Sequence, residues 1–225
     1  MNVKLQTIKI IKSTPLIRNV FEYFHFHSQF KKALIGCETI LDLGCGSDSS
    51  FASVSKNFHS VGVDAFLPAI EESKKKGIHN EYFCMDIMDI DKQFEKDSFD
   101  GVLLGDVIEH LDKEQGVMLL EKIENIAKKK IVIFTPNGFL HQGIHYQNPW
   151  QEHKSGWSAD EMVGRGFKVI GFGGVKSLRT ELSKIKYRPY LLWRVISELS
   201  ELFVRDFPKH AFSILCIKEK ANINK

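Results

Sequence analysis

Ile40-Leu41-Asp42-Leu43-Gly44-Cys45-Gly46 is an apolar run that ends in an acid and then in two glycines one residue apart. A short apolar run bounded by glycine reads as a buried strand. Gly44 and Gly46 let the backbone turn sharply and approach a ligand that a Cβ would push away. The spacing predicts a helix after the turn, through about Asn57, whose free N–H groups would face the same spot. Strand, glycine turn and helix together make a ligand cradle.

From Cys37 onward the alternation of strand and helix is regular. His59 to Asp64 reads as the second strand, and Pro68 opens a helix that closes on Lys74-Lys75-Lys76-Gly77. Lysines in a last turn followed by glycine are a helix-end signal before they are a binding patch. Glu81 to Met85, Phe99 to Gly105 and Ile131 to Thr135 are the next strands, with a helix over Gln115 to Lys128. This pattern predicts a parallel sheet with right-handed crossovers. A long loop, about 136–157, follows Thr135-Pro136-Asn137-Gly138 and holds His141, His145, Tyr146, Trp150, His153 and Trp157. Loops of that length inside a compact unit are usually functional. Ser158 and Glu161 form a helix start. A strand is expected at Gly166 to Gly171 and a last one at Ala211 to Ile217. Pro189 opens an amphipathic helix with Leu191, Leu192, Val195, Ile196, Leu199, Leu202 and Phe203 on one side, expected to pack on the sheet.

Ahead of the alternation, Pro15 opens a helix through Val20, Phe21, Phe24 and Ala33. It carries the aromatic cluster Phe21, Tyr23, Phe24, Phe26 and Phe30, with His25 and His27 inside it. It reads as a lid over the core. With 225 residues and no internal repeat, the chain is expected to form one unit: a lid over residues 1–35 and a core over residues 36–225. The net charge of +3 gives no reason to invoke nucleic acid. Cys37, Cys45, Cys84 and Cys216 lack metal spacing and read as reduced and mostly buried. That suits a cytoplasmic protein, and neither a signal peptide nor a membrane span is expected.

Asp42, Asp64, Asp86 and Asp106 each fall at or just past the end of a strand. In an open parallel sheet, ligands sit beyond those ends. An acid about twenty residues after the glycines is placed to accept hydrogen bonds from a ribose. The cofactor is then a dinucleotide or S-adenosylmethionine. The dinucleotide fingerprint wants a third glycine where Ser49 stands, and Asp48 follows the second glycine. Carboxylates around the cradle repel a pyrophosphate and suit a sulfonium and an amino group.

Over about Thr39 to Gly173 the chain resembles the class I S-adenosylmethionine-dependent methyltransferases. Asp42-Leu43-Gly44-Cys45-Gly46 looks like the family's first motif, Asp64 stands at its ribose-binding position, Asp86 at its adenine-side position, and Phe99 to Asp106 matches its fourth-strand motif. The departure is Asp48, where many members carry glycine or serine. The resemblance implies a doubly wound, Rossmann-like α/β fold: a seven-stranded sheet, mostly parallel with an antiparallel last strand, helices on both faces. It implies a cofactor set of Asp42, Gly44, Cys45, Gly46, Asp64, Ala65, Asp86, Ile87 and Gly105.

Asp106-Val107-Ile108-Glu109-His110 adds a second signal. On a helical turn, Asp106, Glu109 and His110 fall at i, i+3 and i+4 and share one face, a half-site for a divalent ion such as magnesium, with His153 as a further ligand. The segment resembles the acid-x-x-Glu-His motif of ubiquinone-biosynthesis O-methyltransferases and of small-RNA 3′-terminal 2′-O-methyltransferases. In the second group such a motif and a later histidine hold magnesium or a related ion. Without a metal, Glu109 and His110 would orient the loop beside the cofactor, and His110 or His153 could serve as general base beside Asp106. Both roles favour a hydroxyl acceptor. The histidines and aromatics suggest a ring-bearing or sugar-like small molecule, and Asn148 to Trp157 resembles bacterial methyltransferases, some near glycan biosynthesis. Lys128-Lys129-Lys130, at a helix end, weakly supports an RNA ribose instead. A catalytically silent cofactor-binding module is the third reading.

Overall fold

The computed structural model describes residues 26–143, 148–181 and 183–220. Seven strands form one sheet: β1 (Thr39–Leu43), β2 (His59–Asp64), β3 (Glu81–Cys84), β4 (Phe99–Gly105), β5 (Ala127–Pro136), β6 (Lys168–Val175) and β7 (Ala211–Glu219). Their order is β3-β2-β1-β4-β5-β7-β6. Strands β1 to β5 pair in parallel, and β7 runs antiparallel between β5 and β6. The order reverses between β1 and β4, the switch point at which ligands sit in such sheets. The fold expected from the resemblance is therefore the one formed.

Two apolar layers cover the sheet. On one side Leu41, Leu43, Val102 and Leu104 join Leu119, Leu120 and Ile123 of helix α4 (Lys113–Ile126) and the buried Trp157. On the other, Ile40, Leu103 and Val132 meet Phe51, Val54 and helix α1 (Phe26–Ala33), through Phe30 and Ala33. The alternation of Ile40 and Leu41, and of Leu103 and Leu104, sends successive side chains to opposite layers. The rest of the lid expected from Val20, Phe21, Tyr23 and Phe24 lies outside the described residues.

Helix α2 (Leu67–Lys76) ends where the lysine run and Gly77 place its end, with Gly77 left-handed at φ 60° and its N–H bonded to Lys74 O. Ile90–Gln93 forms the short α3, and Ser158 caps α5 (Ala159–Gly164), its Oγ accepting from Glu161 N. Three expectations need correcting. Residues 47–57 form turns and a 3₁₀ turn at Ser55–Asn57, with no α-helix. Their serines bond locally: Ser49 Oγ accepts from Phe51 N at 3.0 Å and Ser55 Oγ donates to Ala52 O at 3.1 Å, and such bonds compete with helix. Lys128-Lys129-Lys130 lies in β5, not at a helix end; Lys129 pairs with Asp100 and Lys130 with Glu219.

The third correction concerns the amphipathic helix. Residues after Pro189 form α6 (Tyr190–Leu199) and α7 (Glu201–Asp206). They meet β6 through small groups. A Cβ on Gly171 would lie 2.1 Å from Val204 O, and one on Gly174 would lie 2.4 Å from Ser197 O. The backbones approach closely there and Val204 is fully buried, while Leu191 and Leu199 are left 62% and 63% exposed. Among the described residues, the apolar face is not packed on the sheet. No helix there is long and apolar enough to cross a membrane.

Candidate active site

The cradle begins with Gly44, left-handed at φ 65°. A Cβ there would lie 2.4 Å from Val107 Cγ2, so neither the turn nor the packing admits another residue. Gly46 N donates to Asp64 Oδ2 at 2.9 Å and Phe66 N donates to Asp64 Oδ1 at 2.8 Å. The acid at the end of β2 thus ties the glycine turn to its own strand. Burial raises its carboxyl, and those two N–H donors hold it part of the way back. Asp42 is buried beneath the turn. Ser49 Oγ donates to its Oδ2 at 2.5 Å, and the buried His79 ring stands 3.3 Å from the same oxygen.

His79 is a residue the sequence reading missed. Its Nδ1 lies 3.2 Å from Ser60 Oγ, and its ring stacks on Phe51 at 5.7 Å. A lone histidine in a loop carries no periodic signal, and its approach to Asp42 depends on β1, β2 and β3 lying side by side. Cys45 is buried, which pushes its thiol far up and rules it out as a nucleophile at neutral pH.

Two recesses meet at Gly44 and Asp106. The larger, about 630 Å³, is lined by Asp42, Gly44, Cys45, Gly46, Gly105, His110 and His153, with Phe30 at its wall. The smaller holds Asp64, Ala65, Asp86 and Ile87, closed by Asn148 and Trp150 from the loop. The nine residues expected at the cofactor therefore divide between adjoining recesses. Asp86 spends one oxygen on its own turn, accepting from Met88 N at 2.8 Å. Trp150, 46% exposed at the mouth, was not singled out for this position.

Glu109, His110 and His153 bring one ligand atom each within 4.8 Å of the others. The long loop delivers His153 because it is stitched to the 3₁₀ turn Ile108–His110: Lys154 N and Ser155 N donate to Glu109 O at 2.8 and 3.1 Å, and Trp157 Nε1 donates to Ile108 O at 3.2 Å. Lys113 Nζ sits 3.4 Å over the Trp157 ring and donates to Gly156 O at 2.8 Å. Each imidazole has one nitrogen on a carbonyl, His110 Nδ1 with Glu152 O at 3.1 Å and His153 Nδ1 with Leu140 O at 2.8 Å. A carbonyl can only accept, so those nitrogens carry the protons and each Nε2 keeps its lone pair. Burial lowers both imidazoles, which favours their neutral form.

Glu109 is fully buried. Thr135 Oγ1 donates to its Oε2 at 3.0 Å, while Oε1 has no hydrogen-bond partner among the described residues. Burial first, and then the Asp106 carboxylate, push it up to about 8. A carboxylate with an orphaned oxygen beside two imidazole lone pairs is a donor set that fits a divalent ion. Asp106 lies outside this group. It adopts φ 53°, its N–H donates to Phe134 O at 2.9 Å, and the turn that holds Glu109 and His110 starts only at Ile108. The single helical face expected for Asp106, Glu109 and His110 is therefore not formed.

Strand order, glycine turn and acids at the strand ends agree with the resemblance to the class I S-adenosylmethionine-dependent methyltransferases. Residues 41–134 match the family model described as a methyltransferase domain. A small RNA 2′-O-methyltransferase from Tetrahymena thermophila is 22% identical over 206 residues, 76% of this chain and 48% of its own. The chain thus spans about half the length of this curated relative. Among solved structures, a SAM-dependent methyltransferase from Archaeoglobus fulgidus superposes with a TM-score of 0.56 at 21% identity, covering 97% of this chain and 100% of its own. The methyltransferase domain of bacterial CtHen1 gives 0.53 at 19%, covering 86% and 97%.

Proposed function

We propose that the chain methylates a hydroxyl oxygen of a ring-bearing or sugar-like small molecule. The observation that carries this reading is the convergence of Glu109, His110 and His153 on the recess that begins at Gly44. S-adenosylmethionine supplies an electrophilic methyl carbon on a sulfonium, the chemistry of the whole family. Asp64 and Asp86 would hold its ribose and adenine sides in the smaller recess, under Trp150, and Gly44, Gly46 and Gly105 would let its other end pass close to the backbone. The acceptor would enter by the larger recess.

An alcohol is a weak nucleophile, so a protein that methylates one must position it and take its proton. A divalent ion held by Glu109, His110 and His153 would polarise the hydroxyl oxygen. Without an ion, the lone pair at Nε2 of His110 or His153 would accept the proton, with Asp106 nearby. An amine or thiol acceptor would need neither. We read residues 1–35 as a lid and 136–157 as the acceptor loop of one domain.

A second reading, RNA ribose 2′-O-methylation, is favoured by the Tetrahymena relative. The test is methyl transfer from labelled S-adenosylmethionine to a panel of hydroxyl, amine and RNA acceptors, with and without chelator. Transfer to hydroxyls is expected, lost on chelation and restored by magnesium or manganese. Transfer only to amines overturns the proposal, and full activity under chelation assigns the proton to a histidine.

A further inference from the structure

A second cavity adjoins the acceptor recess, and its walls are cationic. It measures about 720 Å³ and is lined by Lys176, Arg179, Lys186, Lys209 and His210, against the single acid Glu181. Leu140, Glu181 and Phe212 line both cavities, and Leu140 is the residue whose carbonyl receives the His153 imidazole. The cationic walls therefore begin one residue from the reaction centre.

Two of the cations are held in place by hydrogen bonds. Lys176 follows β6, and its Nζ donates to Asn137 O at 2.5 Å. Arg179 Nη1 donates to Ser183 O at 3.0 Å, and backbone bonds from Thr180 to Lys184 and from Lys186 to Leu178 fold the segment back on itself. Arg179 Nε is buried with no hydrogen-bond partner among the described residues. No carboxylate there lies within ion-pair range of Lys176, Arg179 or Lys186, while Lys209 pairs with Asp160 on the surface. A buried, unused guanidinium donor is costly unless an acceptor comes to it. Burial also lowers the Lys176 ammonium, which a bound anion would reverse.

We propose that this cavity holds a phosphate group of the methyl acceptor, a phosphate mono- or diester whose hydroxyl reaches the Glu109–His153 centre. A single carboxylate would call for one such cation. Several converging cations, one of them a guanidinium with a free donor, match a group with more than one anionic oxygen. The cationic surface is a pocket and not a stripe, so it suits one or two phosphates. This proposal rests on the hydroxyl-methylation reading and names the acceptor's class.

The experiment is calorimetric titration of the full chain with inorganic phosphate and with pyrophosphate, in the presence of S-adenosylhomocysteine. Binding is expected, weakened at least tenfold in Arg179→Gln and in Lys186→Gln, with S-adenosylhomocysteine affinity unchanged. Lys186 is exposed, so its variant keeps the test sound should Arg179→Gln misfold. Competition then separates the sources: displacement by a sugar phosphate marks a monoester, displacement by a short ribo-oligonucleotide a diester. No binding of either anion, or binding unchanged in both variants, overturns the proposal. The titration does not depend on methyl transfer. Anion binding without hydroxyl methylation would sink the reaction reading alone, and methylation indifferent to these two substitutions would sink the cavity alone.

Discussion

Glu109 is a carboxyl placed where ionisation is expensive. Its folded value is pushed up to about 8, by burial and then by Asp106, against about 4.3 in an unfolded chain. Between those values the native state binds a proton that the unfolded state has released. Stability therefore falls as pH rises through that window. Thermal unfolding at pH 5 and pH 8 should show this loss in the metal-free protein and a smaller one in Glu109→Gln; equal losses would mean that Glu109 does not titrate as its surroundings dictate. Trp157 is the other single residue on which the centre depends. It is fully buried, and its indole N–H holds Ile108 O, one residue before Glu109. Trp157→Ala should cost about 3–5 kcal/mol in urea unfolding, the range for deleting a buried aromatic. Because Trp157 fastens the loop that carries His153, activity should fall further than stability alone explains.

At the scale of elements, β1, β2 and β4 were legible because each is a short apolar run closed by an acid or a glycine. The same features make the ligand site, so cofactor and fold could be read together. The segment after Gly46 was misread because the helix expected there competes with serine side chains that bond their own backbone, and that competition leaves little periodic trace. The strand β5 runs four residues ahead of its apolar centre at Ile131; Lys129 and Lys130 are tolerated in it because Asp100 and Glu219 lie across from them. The Glu109–His110 pair was visible as a motif, but the exclusion of Asp106 follows from one positive φ. The apolar side of α6 was read correctly and its placement was not, because Gly171 and Gly174 bring the helices in by their small residues. Leu191→Ser and Leu199→Ser should accordingly change stability by no more than about 0.5 kcal/mol, as surface substitutions do. A loss above about 2 kcal/mol in urea unfolding would mean that this face is covered in the full chain.

For the whole molecule, the sheet's reversal between β1 and β4 gathers groups that lie far apart in sequence. Asp42 and Asp64 come from neighbouring strands, Glu109 and His110 from the turn after β4, and His153 from a loop more than forty residues later. On the proposed reading the two adjoining recesses share the work, the smaller holding the ribose and adenine sides of the methyl donor and the larger admitting the acceptor. This arrangement requires first of all that the donor binds. Calorimetric titration of the full chain with S-adenosylmethionine should show one site, and Asp64→Ala should weaken it at least tenfold by removing the acceptor proposed for the ribose hydroxyls. No binding of S-adenosylmethionine by the folded wild-type chain would contradict the account at its base.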